Sequence, residues 1–96
     1  MPQWYVPFFM QFFYVYVLEN VNKKFIYVGY TQNLKKRLVE HNSRLVRSTQ
    51  SYVPLDLIFY EAYKNQKDAK RREEYFKTTK RKVTLRAMLK EYLREA

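Results

Sequence analysis

The chain has 96 residues, 47% hydrophobic and 19% aromatic, with a formal charge of +10. That is the length of one small domain with enough apolar material for a compact core. The absence of cysteine and the single histidine exclude a disulfide framework, a thiolate zinc site and a histidine-rich metal cluster. Any metal must be held by carboxylate and water, which points to a hard ion such as Mg²⁺ or Mn²⁺. Nineteen Lys and Arg against nine Asp and Glu imply a polyanionic partner, nucleic acid first and an anionic membrane second.

Residues 1–11 read as an apolar N-terminal extension and 12–96 as the folded domain, with Met10 as an alternative start. The extension has neither the basic region nor the cleavage site of a secretory signal, and Pro2, Gln3, Pro7 and Gln11 interrupt a run too short to span a membrane. Trp4 and Phe8 are expected to fold back on the sheet. Tyr14–Leu18 and Phe25–Val28 are short β-branched and aromatic runs, read as two strands. The polar residues Glu19 to Lys24 between them read as a hairpin connection. Phe12, Tyr14, Tyr16 and Leu18 face one way, Phe13, Val15 and Val17 the other, so the first strand is expected at the centre of its sheet. Gly29, the only glycine, is expected to close the second strand where the chain bends or something approaches closely.

Beyond Gly29 the period changes to that of a helix, predicted from an N-cap at Asn33 to about Leu45. Leu34, Arg37, Leu38 and His41 share one face, which places a cation and an imidazole on a stripe otherwise apolar. Each of the two is explained separately by snorkelling or packing; together they suggest a site. Arg44 to Val53 reads as a loop rich in Arg, Ser, Thr and Gln, suited to phosphate contact or simply solvated. Pro54 opens a third strand, Leu55–Glu61. Asn65 and Asp68 resemble a capping box that starts the second helix. There Ala69, Glu73 and Phe76 point inward while Lys70, Arg71, Glu74 and Lys77 take the wetter faces. A glutamate on an inner face is costly unless paired or bound to a cation. Lys80-Arg81-Lys82 is read as the separator before one last helix, whose stripe is Leu85, Met88, Leu89 and Tyr92.

Two strand tyrosines, an arginine, a histidine and an inward glutamate suit phosphodiester cleavage. Arginine stabilises charge developing on phosphate, a carboxylate holds a divalent ion, and a phenol moves a proton. At these residues the sequence resembles the GIY-YIG nuclease superfamily, in particular its small stand-alone members. Tyr14-Val15-Tyr16 stands at the first motif and Tyr27-Val28-Gly29 at the second. Tyr30 to Leu34, then Arg37-Leu38 and His41-Asn42, follow with the helix spacing, and Ala69 to Lys77 resembles the helix carrying the metal-binding glutamate. The resemblance covers roughly residues 12–90.

The resemblance implies an α+β fold, a small three-stranded antiparallel sheet flanked by helices, and a single divalent ion, Mg²⁺ or Mn²⁺. It implies catalytic roles for Tyr16, Tyr27, Arg37, His41 and Glu73. One of the two tyrosines helps activate water, Arg37 steadies the scissile phosphate, His41 contacts phosphate or supports the site, and Glu73 is the metal ligand. Gly29 keeps backbone close to the site. The partner implied is DNA, branched, flapped or duplex, held by Arg44, Arg47, Lys70, Arg71, Lys80, Arg81 and Lys82. The setting implied is cytoplasmic DNA repair or recombination. Two positions depart from the pattern: Tyr14 replaces glycine, and no asparagine follows Glu73, as one does in many larger relatives. A metal-dependent endonuclease is therefore the first expectation. A binding module with the same fold and little turnover, and a membrane-surface protein using the apolar N-terminus, are the alternatives.

Overall fold

In the computed structural model, residues 7 and 10–95 are described, and the expectation for Trp4 and Phe8 lies outside them. Three strands, β1 (Phe13–Asn20), β2 (Ile26–Thr31) and β3 (Leu55–Tyr63), form one antiparallel sheet in the order β2-β1-β3. Helix α1 (Leu34–Asn42) joins β2 to β3, and α2 (Gln66–Phe76), α3 (Arg81–Met88) and α4 (Lys90–Glu95) follow. The fold is thus the expected α+β arrangement, with β1 central.

The two faces of β1 divide as the alternation requires. Val15 and Val17 join Val28, Ala69, Phe76 and Leu85 in one core, beneath α2 and α3. Tyr16 and Leu18 join Leu55 in the other, with Leu34 and Leu38 of α1 packed on it. A strand with both faces covered excludes water from its whole middle, and Val15 through Leu18 are 0% exposed.

The hairpin is longer than its polar sequence suggests. Glu19 and Asn20, expected in the connection, belong to β1 and are buried. Asn20 Oδ1 accepts from the backbone N–H of Lys24 and of Phe25, both at 3.0 Å, and so closes the turn. Glu19 accepts from the Tyr92 hydroxyl at 2.6 Å and pairs with Lys23 at 3.5 Å, which offsets its burial. Gly29 does not close β2: the strand runs on through Tyr30 and Thr31. Its backbone φ is not positive. The reason for glycine is space, since Gly29 lies directly opposite Tyr16 and a Cβ there would sit 2.3 Å from the Tyr16 ring.

Asn33 caps α1, accepting from the Lys36 N–H at 3.1 Å. The helix ends at Asn42, earlier than the expected Leu45, because Arg44 turns into the left-handed region at φ 63. Asn42 then brackets Leu55, its amide accepting at 2.8 Å and donating at 3.0 Å, which pins the start of β3 to the end of α1.

Helix α2 is capped by Asn65, which accepts from the Lys67 N–H at 2.8 Å, while Asp68 turns to Arg71 at 3.1 Å. The expected capping box is therefore only half made. Arg72 spans from α2 to Glu61 of β3 with two hydrogen bonds, 2.8 and 3.3 Å, its guanidinium over the Phe76 ring. On the opposite flank Gln66 donates to the Tyr30 hydroxyl at 3.1 Å and Lys70 lies 4.1 Å above the Tyr30 ring. The helix is thereby tied to both outer strands. Lys80-Arg81-Lys82 is not a separator, because Arg81 opens α3. Nor is the last helix single: it breaks at Leu89, so that Leu85 and Leu89 meet the core while Tyr92 reaches Glu19.

The Gly29–Tyr16 approach makes a specific prediction. Gly29→Ala should lower stability by about 1–3 kcal/mol, the usual cost of forcing extra atoms into a packed core. Urea unfolding checks it; an unchanged midpoint means the Tyr16 ring has another place to go.

Candidate active site

Tyr16, Tyr27 and His41 come together because β1, β2 and α1 each contribute one ring to the same face. Tyr27 sits beside Leu18 in the register, and His41 is the last inward residue of α1. The His41 ring meets Tyr27 edge-on at 5.1 Å between centroids and Tyr16 at 5.6 Å, with the two tyrosines 6.3 Å apart. The Tyr16 hydroxyl lies 2.7 Å from His41 Nε2, and His41 Nδ1 lies 2.8 Å from Thr49 Oγ1. Tyr16, His41 and Thr49 are all 0% exposed.

The two phenols differ in what they can reach. Tyr16 is sealed, and burial above all pushes its hydroxyl up to about 12, against the opposing influence of Arg37 beside it. It keeps its proton. The Tyr27 side chain is only partly buried, and among the described residues no buried polar side-chain atom lacks a hydrogen-bond partner. The hydroxyl is therefore either hydrogen-bonded or not fully buried.

Arg37, one turn before His41, places its guanidinium beside the Tyr16 hydroxyl and pairs with Glu40 at 3.1 Å. About a third of its side chain stays exposed (35%), so it can hold a second anion. His41 is pushed down to about 4, by burial first and by the nearby Arg37 charge second, with Glu40 opposing. It is a neutral imidazole at physiological pH.

Glu73 arrives from α2, on the inward face expected for it, with 13% of its side chain exposed. Its burial is offset by two ammonium groups, Lys77 on Oε2 at 3.0 Å and Lys70 on Oε1 at 3.8 Å. Helix α2 packs on the Val15–Val17 face of β1, opposite Tyr16, and the Glu73 charge is the smallest of the influences on the Tyr16 hydroxyl, which puts the carboxylate within electrostatic range of the site. Both oxygens already hold cations, a donor set that favours positive charge at this position. One carboxylate is what a Mg²⁺-type ion needs when water and substrate phosphate complete its shell. Among the described residues no three His, Asp or Glu groups cluster as a ready-made metal cage.

The expected nucleic-acid contacts scatter. Arg44 and Arg47 sit exposed on the loop after α1, which Thr49 ties to His41. Arg44 donates to the Gln50 carbonyl at 3.2 Å. Lys70 borders Glu73, whereas Arg71 lies on the other flank of α2, in a cleft with Tyr63, Asp68, Arg72 and Tyr75. Lys80, Arg81 and Lys82 mark the start of α3. Three residues of the site were not singled out from the sequence: Thr49, Glu40 and Lys77. Glu40 and Lys77 stand at helix spacing from Arg37 and Glu73, a signal that could have found them. Thr49 is one hydroxyl in the run Ser48-Thr49-Gln50-Ser51, and nothing in that run distinguishes it.

A family model described as the GIY-YIG catalytic domain matches residues 12–86, a span that contains all five candidate catalytic positions. A UPF0213 protein of Streptococcus pyogenes serotype M3 is 41% identical over 68 residues, 70% of this chain and 73% of the relative. A UPF0213 protein of Pediococcus acidilactici is 40% identical over 78 residues, 77% of this chain and 78% of the relative. No solved structure matches.

The state of His41 ties stability to pH. In the unfolded chain it protonates near the ordinary 6.5, in the folded protein only near 4. Between those values the unfolded state binds the proton and the folded state does not. Stability is therefore full above the unfolded value, falls as the pH drops, and levels off below about 4. From neutral pH to about pH 5 the loss should be on the order of 2 kcal/mol. Thermal unfolding of the wild type and of His41→Gln checks this. The variant should lose most of the slope; equal slopes would contradict a buried neutral imidazole.

Proposed function

The chain belongs to the GIY-YIG catalytic-domain family, and on that footing we propose that it is a divalent-metal-dependent endonuclease hydrolysing phosphodiester bonds in DNA. The observation that supports this most is the convergence of Tyr16, Tyr27, Arg37 and His41 at one point of the sheet, with the Glu73 charge acting on the same hydroxyl.

In this reading each residue does what its surroundings allow. Arg37, always charged and partly exposed, binds the scissile phosphate and stabilises the charge that builds on it. Tyr27, only partly buried, hydrogen-bonds the attacking water and relays its proton, taking it up as the phenol proton leaves to solvent water. Tyr16 is sealed, so its oxygen faces the Arg37 charge rather than water. Glu73 would hold the ion, Mg²⁺ or Mn²⁺, displacing one or both lysines from its oxygens. Such an ion supplies Lewis-acid stabilisation of the phosphate and leaving oxygens. The basic residues of the loop and of α2 and α3 would grip DNA through its phosphates, a salt-sensitive grip that carries little sequence information. Substrate choice then rests on DNA structure or weak sequence preference.

A second reading, a nucleic-acid-binding module without turnover, is favoured by one feature: both Glu73 oxygens are already neutralised by lysines. Nicking of supercoiled plasmid and of branched or flapped oligonucleotides, with Mg²⁺, with Mn²⁺ and with EDTA, separates the two. Metal-dependent products should appear, and Arg37→Ala and Glu73→Ala should each reduce the rate by about 10²-fold or more. Wild-type rates in Glu73→Ala would remove the metal assignment. Salt-sensitive binding without any cleavage would establish the second reading.

A further inference from the structure

The hydrogen bonds that run inward from Tyr16 have a direction, which follows from counting protons. At the inner end Thr49 Oγ1 lies 3.4 Å from the Val46 carbonyl, a group that can only accept. A threonine hydroxyl has one proton. Given to Val46, it leaves Oγ1 as an acceptor toward His41 Nδ1, 2.8 Å away, so Nδ1 carries the imidazole hydrogen. At the outer end the Arg37 guanidinium, which can only donate, lies beside the Tyr16 hydroxyl. Its positive charge favours phenol lone pairs on its side, and the one phenol proton is left for His41 Nε2 at 2.7 Å. A neutral imidazole has one N–H and one lone pair, and both ends of the chain assign them in the same way. The opposite tautomer would donate from Nε2 to the phenol oxygen and turn the Tyr16 proton toward Arg37, donor against donor.

We propose that Thr49 is a positioning residue of this site: it fixes His41 as the Nδ1–H tautomer, which turns a Tyr16 lone pair outward to orient Arg37. Resting on the nuclease reading, this makes His41 a fixed link rather than a proton acceptor, consistent with its complete burial and that of Tyr16. The consequence reaches the substrate through Arg37 alone. Glu40 holds one side of the guanidinium at 3.1 Å, and Tyr16 lone pairs turned toward the group favour one orientation of its plane, as bidentate recognition of phosphate requires.

The test has two parts, both without metal and without catalysis. Nitrogen-15 correlation spectra of the single histidine in the wild-type protein should show Nδ1 protonated and Nε2 bare; an Nε2–H tautomer overturns the proposal outright. In Thr49→Val the tautomer should shift toward Nε2–H, and affinity for a short DNA duplex in EDTA should fall by about threefold to tenfold, the worth of one hydrogen bond. Thr49→Ser should restore both. In an Arg37→Ala background Thr49→Val should weaken binding no further. Equal weakening with and without Arg37, or no rescue by serine, means that Thr49 only packs. A wild-type protein that binds DNA but cuts nothing would defeat the nuclease reading and leave this result standing.

Discussion

Tyr16 can be buried only because the residue opposite it on β2 has no Cβ. The phenol lies over Gly29 and ends against His41, and from that contact the remaining placements follow. With the ring laid across β2, α1 must bring an imidazole rather than an aliphatic residue to its inner end, since an unpaired buried hydroxyl is costly. His41 in turn needs a partner for its second nitrogen, which fixes the loop after α1 at Thr49. The loop that looks like solvated sequence is thus held by one buried hydroxyl and by Val46, 8% exposed.

Charge is arranged in two layers around that neutral interior. Arg37 with Glu40 stands on one side, Glu73 with Lys70 and Lys77 on the other. Each carboxylate is matched by nearby cations, so the site carries more positive than negative charge before any ligand arrives. A polyanion is attracted to such a site as a whole and then sorted by the few groups with fixed geometry. The neutral pair inside, Tyr16 and His41, does not add to this field. It sets where the field is applied.

Most of the fold was legible because β1 alternates cleanly and both of its faces are apolar, which demanded a central strand with cover on each side. The face of α1 was legible from Leu34, Leu38 and His41, and that of α2 from Ala69, Glu73 and Phe76. What escaped was decided by tertiary partners. Glu19 and Asn20 read as turn residues because local polarity cannot show that Tyr92, far along the chain, would satisfy one and the turn backbone the other. The end of α1 depends on Arg44 adopting a positive φ, a conformation that arginine does not advertise. The break at Leu89 has neither glycine nor proline to mark it. At the site the grouping of Tyr16, Tyr27, Arg37 and His41 was readable, but the difference between the two tyrosines was not. Alternation assigns both to one face, and only the register, which lays Tyr16 over Gly29, decides which of them is sealed.

That difference constrains the chemistry more than the motif does. A phenol sealed against a neutral imidazole cannot meet an attacking water without first being uncovered. Any account that makes Tyr16 the base must therefore include a rearrangement that exposes it while the phosphate is being bound. Tyr27 is only partly buried, with its ring held against His41, so it meets water with less rearrangement. The two tyrosines are consequently unequal parts of one device. Tyr16 belongs to the sealed interior with His41, and Tyr27 to its partly open edge.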